Sequence, residues 1–88
     1  MKIYPNPARS TTYISIPSEI KGKGNLTVTN REGIVVEERE FSADNARILS
    51  LDLTNQPNGF YKVFLADKNI EVSNEILILA DQNSFVPV

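Results

Sequence analysis

RILSLDLTNQPNGFYKVFLAD, residues 47–67, holds two apolar-alternating runs joined by Thr54-Asn55-Gln56-Pro57-Asn58-Gly59. In the first run Leu49, Leu51 and Leu53 point one way, with Ile48, Ser50 and Asp52 opposed. In the second, Tyr61, Val63 and Leu65 share a face against Phe60, Lys62, Phe64 and Ala66. Strand side chains alternate with period two, so the stretch predicts two β-strands, each with one core-facing side. Pro57 fixes φ and Asn58-Gly59 tolerates φ > 0, which predicts a chain reversal and hence a central hairpin.

The same alternation recurs outward from this stretch. Upstream, Thr11 to Ile16 sets Ile14 and Ile16 against Tyr13 and Ser15, and Pro17 stops it. Ser18 to Gly24 reads as a flexible loop. Its Gly22-Lys23-Gly24 lacks the strand, helix and third glycine of a phosphate cradle. Asn25 to Asn30 turns Leu26 and Val28 inward. Asn30-Arg31-Glu32-Gly33 is a tight turn with Gly33 at φ > 0, and Ile34 to Phe41 completes a hairpin. Downstream, Asp67-Lys68-Asn69 turns the chain, and Ile70 to Glu75 is ambiguous, with a short edge segment of its own as one reading. Glu75 to Ala80 is the last strand, whose run Ile76-Leu77-Ile78-Leu79 suggests burial on both faces.

About seven short strands, turn signals every 8–12 residues or so and no helical period argue for an all-β chain. The expected fold is an immunoglobulin-like antiparallel β-sandwich with Greek-key connections, over residues 1–80, followed by a tail at 81–88. The expected core is Ile14, Ile16, Leu26, Val28, Val36, Leu49, Leu51, Leu53, Tyr61, Val63, Leu65, Leu77 and Leu79.

Composition narrows the function. Eighty-eight residues make one domain with a thin core. A net charge of −2 gives no basic footprint for nucleic acid. With no cysteine and no histidine there is no disulfide, no Cys/His zinc site, no thiol nucleophile and no Ser/His/Asp triad. No apolar run reaches the length of a membrane span, so no membrane insertion is expected. Met1 to Pro5 has no signal-peptide core, so read as a natural start it offers no export route of its own.

Asp67, Asn69 and Glu71 alternate acidic and amide groups. They lack the glycine and glutamate of a helix-flanked calcium loop, so the first reading is a hairpin turn and the alternative a weak cation site. Asp44, Asn45 and Asp52 join such a group only through tertiary contacts. Nothing gathers two carboxylates in a pocket, so neither an enzyme nor a small-molecule substrate nor a cofactor is expected. Phe60 and Phe64 stand on the face opposite the core, where a sandwich should be polar. Either a loop or the Phe85–Val88 tail folds over them, or they form an apolar docking patch.

Three stretches together resemble the type A C-terminal sorting domain of the type IX (Por) secretion system of Bacteroidetes. These are Ile3-Tyr4-Pro5-Asn6-Pro7-Ala8, the Leu26-to-Val36 hairpin with Asn30 and Gly33 at its turn, and Leu51-x-Leu53 followed by Pro57-Asn58-Gly59-Phe60-Tyr61-Lys62-Val63. The resemblance spans residues 3–79. It implies a non-catalytic sandwich appended to an exported cargo, on the cell surface or secreted. An outer-membrane translocon recognises it, and a sortase-like peptidase commonly removes it. The residues expected to meet protein partners are Tyr4, Pro5, Asn6, Pro7, Gly59, Phe60, Tyr61, Phe64, Ile76 and Ile78. The alternative reading is a free-standing module that contacts a structural scaffold, as a cell-surface adhesin domain or a phage virion decoration protein does.

Overall fold

The computed structural model describes residues 1–79. Its strands are β1 (Lys2–Tyr4), β2 (Thr11–Ser15), β3 (Lys23–Thr29), β4 (Val35–Ser42), β5 (Ile48–Asp52), β6 (Gly59–Ala66) and β7 (Glu71–Ile78). One sheet has the order β1-β2-β5 and the other β4-β3-β6-β7, and all these pairings are antiparallel. Ile3, Ile14 and Leu51 from the first sheet meet Leu26, Val28, Val63, Leu65, Ile76 and Ile78 from the second in one buried cluster. Each such side chain contributes about 1.5–3 kcal/mol on burial, so this shared layer dominates the stability. The architecture is the expected all-β sandwich. Three of the six connections cross between sheets, an order compatible with immunoglobulin-like topology.

The β3–β4 hairpin forms as predicted. Asn30 Oδ1 accepts the N–H groups of Glu32 and Ile34 at 2.9 and 3.0 Å, and Gly33 sits at φ +84°. The Asp67 turn also forms, between β6 and β7. One carboxylate oxygen takes the N–H of Asn69 at 2.7 Å and of Ile70 at 2.9 Å, while the other takes that of Lys21 at 3.0 Å. These bonds hold the Asp67 carboxyl below its ordinary pKa, the Lys21 bond contributing most.

The central hairpin is corrected. The strands β5 and β6 lie in different sheets, β5 beside β2 and β6 between β3 and β7. Residues 53–58 are therefore a crossing between layers. Leu53 N–H donates to Ser10 O at 2.8 Å, keeping the end of β5 with the first sheet. On the far side Tyr61 is 5% exposed, and its hydroxyl donates to Pro57 O at 2.5 Å. A tyrosine near the start of a strand, bonded back to the corner before it, is a recurrent device of immunoglobulin-like sandwiches.

The last strand is corrected in phase. Ile76 and Ile78 are buried, Leu77 is half-buried and Leu79 is 37% exposed. The face is set by pairing, since Ile76 stands opposite buried Tyr61 and Leu77 opposite Phe60. Residues 70–75 are not a separate edge piece, because β7 starts at Glu71. Val36 and Leu49 are only half-buried, while Ile3, Ala8, Ile20, Phe41 and Ala43 join the core unpredicted. Gly24 belongs to β3, where it stands opposite Phe41. A Cβ there would meet Phe41 Cζ and Ala66 O, each at 2.6 Å.

Two arginines fasten the crossings. The Arg47 guanidinium donates to the carbonyls of Ile20, Ile16 and Pro17 at 3.0, 3.2 and 2.5 Å, and Arg39 donates to Ser50 O. The expected tail at 81–88, with Ala80, lies outside the described residues.

Candidate partner-recognition surface

The strand β7 is an edge of its sheet, and an edge exposes backbone donors and acceptors. Here Pro5–Ala8 lies along it. The Asn6 side chain donates to Glu75 O at 3.1 Å and accepts from Leu77 N–H at 3.0 Å, in place of a strand's peptide group. Ala8 N–H donates to Leu77 O, and Leu79 N–H to Ala8 O, both at 2.8 Å. The bridge between Ala8 and Ile78 is parallel. The bonds from Tyr4 to Pro5 and from Asn6 to Pro7 are cis. Thr12, buried beneath, donates its hydroxyl to Pro5 O at 2.9 Å. The opening motif is thus a cover for the last strand, joined to β2 below it.

On the outer face of the β4-β3-β6-β7 sheet, Phe60 is 51% exposed and Phe64 half-buried. They line an open groove of about 570 Å³ with Thr29, Arg31, Lys62 and Glu75. A smaller recess of about 260 Å³ continues it between the turn at Asn30–Glu32 and the crossing at Gln56–Gly59. The groove mixes aromatic surface with charges of both signs, a composition suited to a protein partner.

Of the residues expected to meet partners, Tyr4, Pro5, Asn6, Pro7 and Phe60 are exposed, and Gly59 and Phe64 are half-exposed. Asn6 is brought to Leu77, whose cross-strand neighbour is Phe60, so the cover and the groove share a border. Tyr61, Ile76 and Ile78 stand in the core, where they hold the fold. Tyr4 is placed apart from the groove, on the outer face of the other sheet, its ring 6.1 Å from that of Tyr13. Sequence reasoning missed Glu75 and Leu77 as the groups under Asn6. No local signal marks them, because Asn6 bonds to their backbone groups from about seventy residues away.

Three stretches far apart in the chain therefore meet around one end of β7: Pro5–Ala8, the Asn30–Gly33 turn and Pro57–Tyr61. The family model for the secretion system C-terminal sorting domain matches residues 2–79. The chain belongs to this family. No curated protein matches it. As a sorting domain it is a C-terminal signal for type IX secretion, which marks proteins for export to the cell surface or beyond. A sorting domain of this kind is recognised by proteins of the secretion machinery. Bacteroidetes are the group that the family implies.

Proposed function

We propose that this sorting domain works as a folded address and performs no chemistry of its own. An outer-membrane translocon reads it, and a sortase-like peptidase separates it from its cargo. The reading surface is the end of β7 with its Pro5–Ala8 cover, together with the groove at Phe60 and Phe64. One observation carries this reading: stretches from the beginning, middle and end of the domain converge there. Core packing explains Tyr61 and Ile76, but it does not require an exposed Phe60 or an exposed Asn6.

The test is a fusion behind an exported reporter in a type IX-competent host. Surface delivery that is lost when the domain is removed is the expected result. A reporter left in the periplasm with the folded domain attached would overturn the reading.

A further inference from the structure

Pro5–Ala8 holds β7 through few groups. Asn6 makes two bonds with its side chain and Ala8 two with its backbone. Pro5 and Pro7 have no N–H to give. Only Ala8 of this segment is buried, while Pro5, Asn6 and Pro7 are exposed. One amide side chain and the backbone of one residue, with a single methyl group in the core, thus do the work of an edge strand. Beneath them lie Glu75 O, both backbone groups of Leu77 and Leu79 N–H, the alternate positions through which an edge accepts another strand. The segment itself shows what the edge takes: at Ala8, a backbone donor and acceptor in a parallel bridge. A regular partner strand offers a peptide group at every position and completes a ladder that the segment makes in part.

We propose that Pro5–Ala8 is a releasable strap. It opens without unfolding of the sandwich and uncovers the edge from Glu75 to Leu79, which then takes an extended strand of the export machinery. The identity of the partner rests on the sorting reading above; the opening of the strap does not.

Amide hydrogen exchange on the 88-residue chain tests the opening. In Asn6→Ala, the amides of Ala8 and Leu79 should exchange at least about tenfold faster, while those of Val28 and Val63 change less than about twofold. Joint loss of protection at all four would show an integral strand and overturn the strap. Export tests the edge. Leu77→Pro removes the N–H that faces Asn6 and leaves the β6 side of the ladder intact. Leu79→Pro, just past the strand, is the milder form. In reporter fusions both proline variants should lose delivery while the purified chain keeps its core exchange pattern. Normal delivery by a folded proline variant overturns the edge as the docking site. If the unaltered fusion also stays in the periplasm, the sorting reading fails and this partner with it, while the exchange result still decides the strap.

Discussion

Tyr61 puts its ring into the core and turns its hydroxyl back to the Pro57 carbonyl. Tyr61→Phe keeps the ring and loses the bond, so urea unfolding should show a loss of about 1 kcal/mol with an unchanged slope. Burial, and then the charge of Glu32, raise the phenol above its ordinary 10.0. The folded state thus holds that proton more tightly than the unfolded one. Its contribution is complete below pH 10.0 and is lost as pH rises through the folded value. The alkaline limb of stability should therefore be flatter in Tyr61→Phe. Asp67 works in the opposite direction, since its lowered pKa makes its contribution present above 3.8 and lost as pH falls through the folded value. Asp67→Asn keeps the shape of the turn but not the charge. Measured from neutral pH to below 3.8, the variant should lose less stability than the parent.

At the scale of the element, Gly24 is the position where a side chain has no room. Its neighbours are the Phe41 ring and the backbone oxygen of Ala66, and the second cannot rotate away. Gly24→Ala should cost about 1–3 kcal/mol by thermal or urea unfolding, with loss of amide protection where β3 meets β6. A sequence shows Gly22-Lys23-Gly24 as a loop, because the crowding comes from residues 17 and 42 positions away. The same limit explains the crossing at residues 53–58. Alternation in Ile48–Leu53 and Phe60–Ala66 states which side of each strand is apolar, and both strands were legible for that reason. It says nothing about which sheet supplies the neighbours, so a hairpin and a crossing look alike. The run Ile76–Leu79 has no alternation at all, and its face is fixed only by Tyr61 and Phe60 across the ladder. The candidate surface was legible in pieces: the Ile3–Ala8 stretch, the turn of the Leu26–Val36 hairpin and the Pro57–Val63 stretch carried the family resemblance. Their meeting at Glu75 and Leu77 depends on hydrogen bonds spanning about seventy residues of chain, which no local pattern encodes.

For the whole molecule, the proposed reading surface on the outer face of the four-stranded sheet can be probed with little change in stability at Phe60 and with more at Phe64. Phe60 is half out of the protein, and Phe60→Ser should change unfolding free energy by no more than about 0.5 kcal/mol. Phe64 is deeper, and Phe64→Ser should cost about 1–2 kcal/mol. Surface delivery of a fused reporter should fall in both, and a Phe60→Ser fusion delivered at the parental level would remove the groove from the reading surface. The parallel course of the Pro5–Ala8 strap along β7 has a mechanical side as well. Pulling the upstream chain one way and the end of β7 the other slides the two segments past each other. The bonds of Asn6 and Ala8 then carry the load together, in shear. A strand arriving from the side instead peels them apart one at a time. The same four bonds resist tension along the chain and yield to lateral invasion.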